Sequence, residues 1–100
     1  MEATIIRNKY EAAKAVELMI AEMSEMWSGF QCNGKLAKGT FGYYKVAIII
    51  NGTEDAASLY LMNGEYVAIP DMYYGEGTEF KGSKGNYYFI NADGELEAAA

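Results

Sequence analysis

The chain has 100 residues and a formal net charge of −6, from 14 acidic and 8 basic side chains. Its apolar fraction of 51% and charged fraction of 22% are typical of a globular protein and not of a disordered one. At this length we expect a single domain over residues 1–100, with one hydrophobic core. Duplex nucleic acid and membranes are bound through clustered Lys and Arg, so the negative charge argues against both as partners.

The scarcity of two residue types excludes several kinds of site. The chain contains no histidine, so neither a Ser–His–Asp nor a Cys–His catalytic arrangement can form. Cys32 is the single cysteine, which excludes an intrachain disulfide and a Cys/His zinc site. An all-oxygen metal site or a catalytic carboxylate pair stays possible, but no spacing of the acidic residues indicates one, so we expect no catalytic residues, no metal and no cofactor. An unpaired thiol and the lack of a signal-peptide pattern predict a cytoplasmic protein.

The first third of the chain is predicted to be one amphipathic helix from about Asn8 to Ser28. Asn8 is a favourable N-cap, and Gly29 is a suitable terminator. Ile5 and Ile6 before it fit either a short strand or an earlier helix start. At about 100° per residue, the larger apolar side chains fall on one stripe that is expected to face the core. The stripe consists of Ala13, Val16, Ile20, Met23, Trp27 and Phe30.

The remainder of the chain is predicted to be β-structure. Asn-Gly and Asp-Gly pairs recur there, and they supply the positive φ angles that tight hairpins need. These predicted turns are Asn33-Gly34, Asn51-Gly52, Asn63-Gly64 and Asp93-Gly94. The predicted strands are Phe41–Ile50, Ala57–Met62, Glu65–Ile69, Thr78–Lys81 and Tyr87–Ile90.

Together these elements predict an α+β domain: one N-terminal amphipathic helix packed on a curved antiparallel sheet of four or five strands. The run Phe41–Ile50 is apolar on both faces, because Val46 and Ile48 alternate with Ala47 and Ile49. One helix cannot cover both faces of such a sheet. Either the sheet curls into a half-closed form, or another subunit covers the second face. We expect a homo-oligomer.

Three tyrosine pairs stand out: Tyr43-Tyr44, Tyr73-Tyr74 and Tyr87-Tyr88. Adjacent side chains of a strand point to opposite faces, so each pair within a strand places one ring on each side of the sheet. Tyr43-Tyr44 is expected in the central strand and Tyr87-Tyr88 near an edge. Only Tyr73-Tyr74 lies beside a glycine-rich stretch, where a ring can stay exposed.

The segment 71–86 is therefore the predicted binding loop, because glycines, aromatic rings and both signs of charge meet there. Its glycines and lysines fit either a small anion-binding loop or an ordinary hairpin turn with soluble lysines at the tip. The candidate ligand- or partner-binding residues in this segment are Tyr73, Tyr74, Glu76, Lys81 and Lys84.

The predicted helix offers a second candidate surface, opposite its core stripe. Leu18 lies there beside Glu22 and Glu25. A single exposed leucine is ordinary, but an acidic face with a central leucine also fits a partner with a basic surface.

These features predict a small acidic, non-enzymatic binding protein. The favoured function is a protein-binding inhibitor or adaptor module, since tyrosine is common in protein interfaces. Two alternatives stay open. One is an oligomeric protein that binds or sequesters a small anionic or nucleotide-like ligand. The other is a structural assembly subunit.

Overall fold

A computed structural model describes residues 3–23, 31–50, 52–72 and 78–99 of the chain. In that part the chain forms one helix and eight strands, and the predicted α+β class is confirmed. The elements in chain order are β1 (Thr4–Ile5), α1 (Lys9–Met23), β2 (Gln31–Lys38), a 3₁₀ turn (Thr40–Gly42), β3 (Tyr44–Ile50), β4 (Thr53–Met62), β5 (Glu65–Pro70), β6 (Glu79–Lys81), β7 (Tyr87–Ile90) and β8 (Leu96–Ala98).

The main sheet is an antiparallel meander of β2, β3, β4 and β5, to which β1 is added. Tyr60 of β4 pairs with Val67 of β5 on one side and with Ile5 of β1 on the other. β1 therefore continues the line of β3 along the same side of β4. The backbone of Ile6 joins the three strands: its N–H donates to the carbonyl of Leu59 (2.9 Å) and its carbonyl accepts from the N–H of Tyr44 (3.2 Å). Of the two alternatives for Ile5 and Ile6, the short strand is the one observed.

The hairpin between β4 and β5 confirms the turn predicted at Asn63-Gly64. Both residues have positive φ, 53° for Asn63 and 75° for Gly64. This is the conformation of a two-residue type I′ turn, which matches the twist of the flanking strands. Ile50 pairs with Thr53 at the end of the β3–β4 hairpin, so that turn also has two residues. Asn51 itself lies outside the described residues.

The pair Asn33-Gly34 was expected to form a turn, and this prediction is wrong. Both residues lie within β2, which pairs with β3 along its length. The register shifts between Cys32 and Leu36, so β2 carries two more residues than the opposing stretch of β3. Gly34, with φ 75°, therefore serves a β-bulge. A Cβ atom there would lie 3.6 Å from Val16 of α1, so the bulge sits directly under the helix.

The helix begins as predicted. The Asn8 side chain accepts hydrogen bonds from the N–H groups of Tyr10 (2.8 Å) and Glu11 (3.2 Å), which is N-cap geometry. The described part of the helix ends at Met23, and the predicted continuation over 24–28 lies outside the described residues.

The predicted core stripe of the helix is partly wrong. Val16 is buried, but Ala13 is exposed and Ile20 is 43% exposed. Among residues 9–20 of the helix, whose side chains are described, the buried ones are Ala12, Ala15, Val16 and Met19. The other stripe residues, Met23, Trp27 and Phe30, lie outside the described side chains. The stripe was predicted mainly from the large apolar side chains. In the structure, the helix residues that face the sheet include two alanines, Ala12 and Ala15. A small side chain lets a helix backbone come close to a sheet, and Met19 fills the space beyond them.

This helical face packs on one face of the main sheet and forms the first core cluster. On the sheet side the cluster includes Val46, Ile48 and Ile50 of β3 with Leu59 of β4, all nearly inaccessible to solvent. These β3 residues are the ones that the alternating pattern placed on one face. The helix-side core thus follows from the period of two in β3.

The opposite face of the main sheet is covered in part by a second sheet, with strand order β6, β7, β8. Phe80 and Tyr88 of this small sheet pack with Val67 and Ile69 of β5 in a second core cluster. The expectation of a single sheet was therefore incomplete. After Pro70 the chain leaves the main sheet, and its later strands pack on the other face of that sheet. They bury part of the face that we expected another subunit to cover.

Of the two tyrosine pairs in the described residues, one does not lie wholly within a strand and the other divides its rings between faces as predicted. Tyr44 packs against the helix-side cluster while Tyr43 precedes β3, and Tyr88 is buried while Tyr87 is 47% exposed. Tyr87-Tyr88 lies in the middle strand of its sheet and not near an edge. Tyr73-Tyr74 lies outside the described residues.

Candidate functional site

The described part of the chain separates the predicted site residues. Lys81 and Lys84 belong to the β6–β7 hairpin, on one side of the main sheet, and Leu18 belongs to the helix on the other. They do not form one site. The other predicted site residues lie outside the part of the chain whose side chains are described; they are Glu22, Glu25, Tyr73, Tyr74 and Glu76.

The loop 82–86 is the hairpin turn that joins β6 to β7, since Lys81 pairs with Tyr87. The four successive backbone N–H groups of residues 82–85 are all bonded to acceptors of the protein. Gly82 and Gly85 donate within the loop, to Asn86 and Gly82 (2.7 and 3.0 Å). The N–H of Ser83 donates to the carbonyl of Tyr66 (2.8 Å). The N–H of Lys84 donates to Oε1 of Glu65 (3.1 Å).

Glu65, at the start of β5, is the acceptor around which this loop closes. Its side chain is 1% exposed, which is unusual for a carboxyl group. Besides Lys84, the Tyr88 hydroxyl (2.6 Å) and the Asn86 side-chain amide (2.7 Å) donate to Glu65, both to Oε2. Three donors from one hairpin thus compensate the burial of this carboxyl group.

The Glu65 cluster also explains two further properties of the hairpin. Burial, and then the hydrogen bond to Glu65, raises the pKa of Tyr88 to about 12. Gly82 packs so tightly on the carboxyl group that an added Cβ atom would lie 2.6 Å from Cδ of Glu65. The place that was predicted for an external anion is therefore occupied by a side chain of the protein itself.

Shallow clefts border this hairpin. One, of about 280 Å³, is open to solvent and is lined by Asn63, Asn86, Tyr87, Tyr88, Ala98 and Ala99. Within this lining the hydroxyl of Tyr88 donates to Glu65 and the side-chain amide of Asn86 does so too, so both groups are already engaged.

The helix face around Leu18 is exposed as predicted, with Leu18 at 42%. Glu11, Lys14 and Glu17 are exposed in the same helix. Lys14 lies one turn before Leu18, so the described part of this face carries both signs of charge.

A more distinctive surface lies in the turn before β3. Phe41 was predicted to begin a strand, and this prediction is wrong, because β3 begins at Tyr44. Phe41 instead has φ 62° and is 84% exposed. For a residue with a Cβ atom, the left-handed region costs about 1–2 kcal/mol. This turn therefore holds a large apolar ring in water at an energetic cost.

Neighbouring groups fix the turn in this conformation. The N–H of Gly39 donates to the carbonyl of Tyr43 (2.6 Å), which closes the turn. The guanidinium of Arg7 donates to the carbonyl of Phe41. Gly39 has no room for a larger residue, since a Cβ atom there would lie 2.9 Å from the Tyr43 ring. The Phe41 ring is thus presented by a well-bonded backbone.

Two cationic side chains border the same turn. A Cβ atom on Gly42 would lie 3.8 Å from Nη1 of Arg7 and 3.9 Å from Cε of Lys38. Within the described ranges, neither cation has a carboxylate partner; the ion pair found there joins Lys45 to Asp71 (2.5 Å). We call the surface formed by Arg7, Lys38, Phe41 and Gly42 the Phe41 corner.

A second aromatic ring lies near this corner in sequence. Tyr10, three residues after Arg7, is 88% exposed in the first turn of α1. Sequence reasoning missed both rings. The available signal was the spacing of Gly39 and Gly42 around Thr40 and Phe41, which is typical of a turn, but the apolar run that follows concealed it.

No helix in the described ranges is long and apolar enough to cross a membrane. Nor do those ranges contain a group of three or more acidic or cysteine side chains placed to hold a metal ion. In comparisons with protein-family models, with curated proteins and with solved structures, nothing matches this chain at a significant level.

Proposed function

We propose that this chain is a small non-enzymatic protein-binding module, of the inhibitor or adaptor kind, and that the Phe41 corner is its main contact surface. The observation that carries the proposal is the Phe41 ring: it is 84% exposed on a backbone with φ 62°. Backbone outliers of this kind concentrate at functional sites. Exposed aromatic rings beside arginine are the side chains that dominate protein interfaces.

The rigidity of the corner supports this role further. A ring on a fixed turn loses little conformational freedom when a partner buries it, so more of the contact energy appears as affinity. The hydrogen bonds from Arg7 and Gly39 supply that rigidity. A solvent-exposed loop without such bonds would have to be ordered on binding.

The experiment is a selection of binders from a displayed library of peptides and small domains, with the wild-type chain as bait. Phe41→Asn serves for counter-selection, because asparagine tolerates positive φ and keeps the turn while removing the ring. Binders that hold the wild type and lose affinity for Phe41→Asn support the proposal. If selected binders hold both chains equally, the corner is not the contact surface.

The alternatives retain less support. A small anionic ligand at Lys81 and Lys84 would have to compete with Glu65 for the backbone N–H groups of the loop. Homo-oligomerisation and a cytoplasmic location remain proposals as well. Sedimentation equilibrium of the purified chain tests the first, and cell fractionation tests the second.

A further inference from the structure

The Phe41 corner has a charge opposite to that of the chain as a whole. The net charge is −6, yet Arg7 and Lys38 border the same glycine. Like charges at close range repel each other, and an opposite charge placed between them relieves that repulsion. Elsewhere in the described ranges, the charge of Lys45 is compensated by its ion pair with Asp71. Arg7 and Lys38 lack such a carboxylate within those ranges.

From this arrangement we propose that the Phe41 corner binds a short acidic segment of another protein. The Phe41 ring enters an apolar depression of the partner, and carboxylates of the segment face Arg7 and Lys38. The inference rests on the proposed function, to which it adds the chemistry of the partner. It also differs from the sequence-based expectation of a partner with a basic surface.

The geometry favours carboxylates presented by a protein over the alternatives. A nucleic acid carries a continuous line of phosphates and needs a cationic track, whereas this corner supplies two cations on a chain of net charge −6. A second copy of the chain would bring its own net negative charge toward the first. A short acidic segment meets the two cations and the ring without extending over the acidic remainder of the surface.

The role of Arg7 combines two functions. Its guanidinium donates to the Phe41 carbonyl and so holds the turn, while its charge remains available at the surface. Lys38 lies beside the turn and contributes charge, but within the described ranges it makes no hydrogen bond to the turn. A variant of Lys38 therefore tests the charge alone, and a variant of Arg7 tests charge and positioning together.

The test uses binders selected from a random peptide library with the wild-type chain. Their affinities are then measured for the wild type, for Phe41→Asn, for Lys38→Gln and for Lys14→Gln, at low and high salt. Lys14→Gln is the matched control, because it removes the same charge from the exposed helix surface. Polyglutamate and oligothymidylate serve as defined acidic probes, and the sedimentation coefficient reports self-association.

The expected result has three parts. Selected peptides are enriched in Asp and Glu beside apolar residues, Lys38→Gln lowers their affinity several-fold, and Lys14→Gln leaves it unchanged. Phe41→Asn abolishes binding without lowering the thermal midpoint, since it relieves the strain at φ 62°. A peptide affinity that falls with added salt is part of the same expectation.

Other outcomes overturn the inference and remain distinguishable from failure of the proposed function. Neutral or basic peptides that still depend on Phe41 would leave the protein-binding function standing and refute the acidic partner. Oligothymidylate binding tighter than that of any peptide, or self-association lost in Phe41→Asn, would replace the acidic segment with a nucleic acid or a second copy. If no peptide distinguishes the wild type from Phe41→Asn, both the inference and the function fail.

Discussion

Replacing Tyr88 by Phe removes one hydroxyl from the Glu65 cluster and leaves the ring in the core. The hydroxyl donates to Glu65 over 2.6 Å, and both side chains are 1% exposed. A hydrogen bond to a charged group contributes about 1.5–3 kcal/mol, and removing it leaves a buried acceptor with one donor fewer. We expect Tyr88→Phe to lower the free energy of unfolding by about 2 kcal/mol, which is on the order of 10 °C in Tm for a chain of this size.

The same hydroxyl gives this prediction a dependence on pH. Because the folded-state pKa of Tyr88 is raised from 10.0 to about 12, the neutral phenol is favoured by folding. The stabilisation is complete below pH 10 and is lost as the pH rises from 10 to about 12, where the unfolded chain loses its phenol proton first. The stability difference between wild type and Tyr88→Phe should therefore shrink over that interval.

Urea unfolding at several pH values measures both effects, with an unchanged m-value as the sign that only stability has altered. Tyr87→Phe is the matched control: it removes a hydroxyl from the neighbouring position of the same strand, where the side chain is 47% exposed. We expect it to change stability by less than about 0.5 kcal/mol. Equal effects of the two variants on the free energy of unfolding would refute a stabilising hydrogen bond between Tyr88 and Glu65. So would a stability difference between wild type and Tyr88→Phe that stays constant within about 0.5 kcal/mol from pH 9 to pH 12.

Three further predictions concern packing and reactivity. Gly82→Ala should destabilise the chain by about 1–3 kcal/mol, because the added Cβ atom would overlap with Glu65. The same substitution should cost less in a Glu65→Ala background. If the two effects are additive in the double-mutant cycle, the overlap is excluded. In urea unfolding, Met19→Ala should lower the free energy of unfolding by about 2–5 kcal/mol, and Ile20→Ala by less than about 1 kcal/mol, because Met19 is buried and Ile20 is not. The reverse order would support the core stripe that was predicted from the sequence. Burial raises the pKa of the Cys32 thiol, so its alkylation by iodoacetamide at neutral pH, followed by mass spectrometry, should be several-fold slower in the folded chain than in urea; equal rates would show an open thiol.

The parts of the fold that depend on neighbouring residues were predictable from the sequence. The Asn63-Gly64 turn follows from the positive φ angles that these residues tolerate, and the Asn8 cap follows from its side-chain oxygen. The limits of β7, Tyr87–Ile90, agree with the prediction, because an apolar and aromatic run ends there at a polar turn. In each case the deciding interaction joins residues close in the chain.

Features set by tertiary packing were missed. The Asn33-Gly34 pair has the chemistry of a turn, but the helix above it and the pairing of Cys32 with Ile48 convert it into a bulge. The burial of Glu65 depends on donors in a hairpin that is distant in sequence, so no local pattern around Glu65 indicates it. The prediction that a strand begins at Phe41 was wrong, because it assumed that an apolar residue there pairs with a neighbouring strand. Gly39 and Gly42 instead flank a turn that contains Phe41.

The position of β1 has a consequence for how the chain folds. Every other strand pairing joins successive strands of a meander, and such hairpins form rapidly because they close short loops. The pairing of Thr4 with Leu61 closes a loop that contains the helix, β2, β3 and most of β4. During synthesis, β1 therefore waits for β4, which follows it in the chain, before it acquires its pairing partner. Arg7 follows β1 directly and bonds to the Phe41 turn, so the proposed contact surface is completed only when β1 has paired with β4.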